Sequence, residues 1–151
     1  MIQRIDLNNP DLLNQILTLQ RVSYLIEAEI IDYYEIPPLT ETLEELMNCG
    51  ECFYGYFTEG ILAGFLSYTM EDHILDICRV AVHPDYFRKG IADSLLRQAL
   101  SLPGIQKAIV STGKKNLPAL RLYQKHGFNM IRDKEIGNGI YLSELEKKFD
   151  N

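Results

Sequence analysis

Residues 83–96 read His-Pro-Asp-Tyr-Phe-Arg-Lys-Gly-Ile-Ala-Asp-Ser-Leu-Leu (HPDYFRKGIADSLL) and follow a mostly apolar run from His73 to Val82. A strand, a proline turn, two cations and a Gly-x-Ala then lead into apolar positions Ile91, Leu95, Leu96 and Ala99. That order predicts a strand–turn–helix unit whose helix, from Gly90 to Leu100, packs on a sheet. Small residues at 90 and 92 let backbone approach a ligand closely. The amides from Arg88 to Asp93 would point out of the first helical turn, where the helix dipole adds roughly half a positive charge. Such a place suits an anion, a diphosphate in particular. It is neither of the two common phosphate loops, since neither G-x-x-x-x-G-K-[ST] nor G-x-G-x-x-G occurs there. On this segment alone, a tight strand-to-helix bend at Gly90 accounts for the pattern equally well.

Outward from this unit, the chain reads as one α/β domain over residues 1–151 with mixed strand pairing. Ile2–Leu7 alternates as a short strand, and Asn9-Pro10-Asp11 opens a helix that runs on to Ile31 and stops before Pro37-Pro38. Thr40 is placed to cap a second helix from Glu41 to about Asn48. Phe53–Thr58 and Ile61–Met70 flank Glu59-Gly60, a hairpin signal. The His73–Val82 run, apolar on both faces, predicts a central strand. Ile105–Ser111 predicts a further strand. A helix over Asn116–His126 follows, with Pro118 tolerated in its first turn and Gly127 ending it. Phe128–Ile136 and Ile140–Leu145 are the last strands.

A chain of 151 residues with 46% hydrophobic content can bury a core without metal or disulfide staples. No apolar run reaches the ~18–20 residues of a membrane span, and the N-terminus lacks the apolar core of a signal peptide. Cytoplasmic residence, no membrane partner and no metal are therefore expected. Three cysteines argue against a disulfide framework. Cys49 and Cys52 form a C-G-E-C that has no second Cys or His pair to complete a zinc site, and Cys78 is expected to be a core thiol. The net charge of −6 is divided: residues 1–78 carry 14 Asp/Glu against 2 Lys/Arg, so −12, and residues 79–151 carry 7 against 13, so +6. Two differently solvated faces explain this, as does one half built for an anion and another tolerant of a cation. The acidic total disfavours nucleic acid, whose phosphates need clustered Lys and Arg.

The stretch RVAVHPDYFRKGIADSLL resembles the acetyl-CoA signature of the GNAT N-acetyltransferase superfamily, a V-x-P turn followed by [QR]-x-x-G-x-[GA]. Asn116–Phe128, NLPALRLYQKHGF, is similar to that family's N-x-x-A-x-x-L-Y-x-x-x-G-F segment, in the family's order and at its usual separation. The resemblance implies an α/β (α+β) fold: a central mixed, largely antiparallel twisted sheet of about seven strands flanked by about four helices. It also implies acetyl-CoA as the acetyl donor, with cofactor contacts from Val80, Ala81, Val82, Phe87, Arg88, Lys89, Gly90, Ile91, Ala92, Asn116 and Tyr123. The family's Gln or Arg is replaced here by Phe87, which keeps its amide but offers no polar side chain.

By the same resemblance, an amine attacks the thioester carbonyl directly. The carbonyl oxygen needs a backbone N–H around Val80 to Val82, the leaving thiolate a donor, and the amine a base. Tyr123 resembles the family's general acid, although packing in the core would equally suit an aromatic there. Asn116 would bind the pantetheine arm or simply cap its helix. Asp76 resembles in position a catalytic glutamate of some histone acetyltransferases in the superfamily; Glu71, Asp72, Glu27 and Glu29 are alternatives, as is a chain of water. The acceptor is an amine of a small molecule or peptide, and the acidic N-terminal half fits a cationic one such as a polyamine, an aminoglycoside or a lysine side chain. A CoA-binding module without turnover is the competing reading, carried by Phe87. Monomer and homodimer are both compatible with the sequence.

Overall fold

A computed structural model describes residues 1–150. Its frame is one seven-stranded sheet in the order β1-β2-β3-β4-β5-β7-β6. The strands are β1 (Ile2–Ile5), β2 (Cys52–Thr58), β3 (Ile61–Glu71), β4 (Ile74–Val82), β5 (Lys107–Gly113), β6 (Asn129–Gly137) and β7 (Ile140–Lys148). Every neighbouring pair is antiparallel except β4 with β5. The predicted mixed, largely antiparallel sheet is thus present, with β4 at its centre.

Two apolar clusters divide the faces. On one, α1 (Pro10–Ile31) and α2 (Leu43–Met47) bury Leu13, Ile16, Leu17 and Leu46 against Phe53, Phe65 and Ala81. On the other, α3 (Ile91–Leu100) and α4 (Leu117–Lys125) bury Ile91, Leu95, Leu96, Leu120 and Tyr123 against Leu66, Leu75, Ile77 and Val110. Helix α1 starts as its sequence dictates: the Asn9 side chain accepts from the amides of Asp11 (3.1 Å) and Leu12 (3.3 Å), and Pro10 needs no acceptor.

The second helix corrects its expected start. Thr40 ends a short 3₁₀ turn over Pro37–Leu39, and Thr42 is the cap of α2. Thr42 Oγ1 accepts from the Glu45 amide at 3.1 Å, and Glu45 Oε1 returns the favour to the Thr42 amide at 2.9 Å. This reciprocal box outcompetes Thr40, whose own amide is already taken by Pro37 O. Thr42→Ala should cost about 1 kcal/mol of stability, read as a shifted urea midpoint at unchanged slope.

Two irregularities in β4 shape the centre of the molecule. Ser67 pairs with Arg79 but Tyr68 pairs with Ile77, so Cys78 is an extra residue in a β-bulge. Cys78 is consequently exposed, not the core thiol its apolar neighbours suggest. The bulge resets the alternation: Ile77, Val80 and Val82 all face α3 and α4, while Ala81 faces α1 and the Arg79 guanidinium lies over Phe53, 5.7 Å from the ring centroid. Arg79 is held there by Glu51, Glu41 and the Gln20 carbonyl. The second irregularity is a parting of strands. β4 pairs with β5 only over Ile74–Ile77 and Lys107–Val110, whereas β5 continues to Gly113 on β7. Beyond the bulge the two central strands diverge and leave a cleft.

Candidate active site

The cleft between the parted strands has a volume of ≈ 660 Å³ and is open from the α1 face to the N-terminus of α3. At the α3 end, Arg88 (φ 63°) and Gly90 (φ 72°) turn the chain through two left-handed residues. Among the described residues, the amides of Arg88 through Asp93 have no hydrogen-bond acceptor, and Gly90 as N-cap has no side chain to supply one. A Cβ built on Gly90 would meet no atom within 4 Å, so the space in front of these amides is open. Six free donors, three in the turn and three at the start of a ten-residue helix, make an anion cradle.

The one acid in that turn, Asp93, is bound by two side chains from the end of α4. Its Oδ1 lies 2.8 Å from His126 Nε2 and 3.0 Å from Lys125 Nζ. The hydrogen bond from His126 holds the Asp93 carboxyl below its ordinary value despite partial burial. Asp93 thus stays ionised, and the adjoining Lys125 ammonium offsets its charge toward an incoming anion.

Deeper in the cleft, three polar side chains meet. Glu27 projects from α1, and its Oε1 accepts from Asn116 Nδ2 (3.0 Å) and Thr112 Oγ1 (3.2 Å). Its Oε2 has no partner among the described residues. Burial pushes the Glu27 carboxyl up, and the two hydrogen bonds only partly offset this. Tyr24, one helical turn earlier, accepts the Val80 amide on its hydroxyl at 3.3 Å. Tyr123, 5% exposed, packs its ring edge on Phe128 and is pushed above the ordinary tyrosine value, first by burial and then by the nearby Glu27.

Of the residues singled out in the sequence, Val80, Val82, Phe87, Arg88, Gly90, Ile91, Ala92, Asn116 and Tyr123 line this cleft. Three do not. Ala81 faces the α1 core because the bulge turned it there. Lys89 lies over the Tyr86 ring, 5.4 Å from its centroid. Asp76 sits before the bulge, where β4 still pairs with Ile109 of β5, so the strands have not yet opened beside it. Burial and the Glu51 charge push its carboxyl up. Asn116 is the cap of α4, its Oδ1 accepting from the Ala119 amide at 3.3 Å, and its Nδ2 is engaged by Glu27. Both of its readings thus draw on one side chain whose polar atoms are already used. Cys49 and Cys52 are free thiols outside the cleft.

Tyr24 and Thr112 carried no signal as single residues. A signal did exist in α1: Gln20, Tyr24, Glu27 and Ile31 recur at helical spacing and continue the stripe of Leu13, Ile16 and Leu17. Polar residues on the core-facing stripe of an amphipathic helix must meet polar partners inside. That places Glu27 apart from Glu29, which lies on the exposed side.

A family model described as acetyltransferase (GNAT) family matches residues 13–128. The UPF0157 protein YqkA of Bacillus subtilis is 36% identical over 144 residues, which cover 95% of this chain but 42% of that protein. The chain thus spans about two fifths of its curated relative's length. Among solved structures, PaiA N-acetyltransferase from Thermoplasma acidophilum, in complex with coenzyme A, superposes with a TM-score of 0.75 at 19% identity, covering 99% of both chains. YncA from Salmonella typhimurium, with its cofactor acetyl-CoA, gives 0.75 at 16% identity and covers 100% of this chain and 94% of that one. At these identities the two structures bear on the fold alone. No helix among the described residues is long and apolar enough to cross a membrane.

Proposed function

Since the chain belongs to the acetyltransferase (GNAT) family, we propose that it transfers the acetyl group of acetyl-CoA to a primary amine of a small molecule or peptide by direct attack. One observation carries this reading: β4 parts from β5 directly beside a helix start with six unpartnered amides. An anion held by the Arg88–Asp93 amides would have its attached arm in the open strand gap. Acetyl-CoA supplies an activated acyl carbon there, and the cleft volume and the absence of a side chain at Gly90 fit such a ligand.

The remaining roles follow from what each side chain offers. The Val80 amide, now donating to Tyr24, is the backbone donor for the thioester oxygen. Glu27 Oε2 takes the amine's proton; a carboxyl pushed up by burial is closer to the pH at which an ammonium must be relieved of it. We therefore assign the base to Glu27 of α1 in preference to Asp76. Tyr123 donates a hydrogen bond to the departing sulfur. Because burial and Glu27 hold its phenol above the ordinary tyrosine value, it stabilises the thiolate while keeping its proton. The N–C bond forms and the C–S bond breaks. Of the two protons the nitrogen loses from its ammonium form, one goes to Glu27 and the other passes through solvent to the departing thiolate, so the products are the acetamide and the free thiol.

Incubating the purified chain with acetyl-CoA and a panel of amines, with the released thiol detected, tests the reading. Thiol release that depends on the amine supports it. CoA binding without release would favour a binding module, for which Phe87, 46% exposed at the cleft mouth, is the relevant departure. Tyr123→Phe should lower kcat about tenfold at unchanged acetyl-CoA affinity, since about 1.4 kcal/mol suits one hydrogen bond to a charged acceptor. Unchanged kcat would reduce Tyr123 to a packing residue.

A further inference from the structure

The acidic N-terminal half suggests a cationic acceptor such as a polyamine, but of its acids only Glu27 lines the cleft itself. On the α1 side, the cleft walls are Ile26, Ile30, Ile36, Pro38 and Leu142. Ile26 and Ile30 are one turn apart on α1, and Ile30 remains 41% exposed. Four charged side chains line the cleft: Glu27, Arg79, Arg88 and Asp93. Arg79 is bound by Glu41 and Glu51, Asp93 by His126 and Lys125, and Arg88 belongs to the anion cradle.

Among the described residues, Glu27 is therefore the one cleft carboxylate on the α1 side, and its Oε2 has no partner. A neighbouring hollow of ≈ 310 Å³ holds Glu41, Glu45 and Glu51. Glu41 and Glu51 are committed to the mostly buried Arg79 guanidinium, and Glu45 accepts from the Thr42 amide in the α2 capping box, so a second ammonium would gain a partner there only by competing with those contacts. Leaving that ammonium unpaired among the isoleucines costs more than pairing returns.

We propose that the acceptor is a monoamine on an apolar body, aliphatic or aromatic, with its nitrogen at Glu27 and its hydrocarbon against Ile26, Ile30 and Ile36. This rests on the acetyl-transfer reading and narrows it to a substrate class. The apolar wall is continuous with the donor cleft, and its single available charge matches a single ammonium.

Pentylamine and 1,5-diaminopentane differ only by a second ammonium and separate the possibilities. Wild-type protein should turn over pentylamine with a kcat/KM about tenfold or more above that of the diamine. Calorimetry on the CoA complex should show the same order of binding. Ile30→Glu, which supplies a second carboxylate on the exposed wall, should narrow or invert the preference without changing acetyl-CoA affinity. Equal or faster turnover of the diamine by the wild type overturns the proposal while leaving acetyl transfer intact, as does an unaltered preference in Ile30→Glu. Thiol release with no amine at all overturns the transfer reading and this proposal with it.

Discussion

Gly90→Val is expected to raise the dissociation constant for acetyl-CoA by about 10²-fold or more. Two effects add. Gly90 sits at φ 72°, where a β-branched residue is strained by roughly 1–3 kcal/mol, and the strain is relieved by moving the amides that form the cradle. The new side chain also projects into the open space before those amides, where it meets no protein atom and only a ligand would feel it. Gly90→Ala separates the two, since it keeps most of the backbone strain but fills less space; its loss of affinity should be smaller. Calorimetric titration gives both constants, and a thermal melt shows that the variants remain folded. An unchanged affinity in Gly90→Val would remove the cradle from the cofactor site.

Glu27→Gln should reduce kcat about 10²-fold or more, in the range of general-base assistance. Glutamine still offers an oxygen to Asn116 and Thr112, so the fold is retained and only proton acceptance is lost. The pH dependence gives the sign. Glu27 is pushed up by burial, so the wild-type rate should fall as pH drops through that raised value, because the protonated carboxyl cannot act as base. In Glu27→Gln this limb should vanish, leaving a low rate that does not respond to pH there. Stability moves oppositely: a carboxyl that holds its proton more tightly when folded contributes stability below its unfolded pKa, and that contribution is lost as pH rises through the folded value. Asp76→Asn is the contrast and should keep the acidic limb. If Asp76→Asn abolishes the limb and Glu27→Gln does not, the base belongs on β4.

Much of this protein was legible locally. Asn9-Pro10-Asp11 and Asn116 announced helix starts because capping is a contact between residues two or three apart. Glu59-Gly60 announced its hairpin through two left-handed residues, and Gly90 its strand-to-helix bend. These signals determined the order of elements, the anion cradle and the helix that carries Tyr123. The choice of Thr42 over Thr40 lay at the limit of local reading, since both stand before acids and only the competition for amides decided it.

What the tertiary structure alone decided is the opening of the sheet. The bulge at Cys78 exists because Ser67 and Tyr68 on β3 pair across it, and no residue of β4 marks it. The divergence of β4 from β5 depends on β7 taking β5 further than β4 does, a pairing between residues 29 to 41 positions apart in sequence. Only once those strands part can Glu27 of α1, on one face of the sheet, reach Asn116 of α4 on the other. Periodicity tells a side chain which face of its own element it occupies. Which faces meet through a gap is set by register, and register is a property of the assembled sheet.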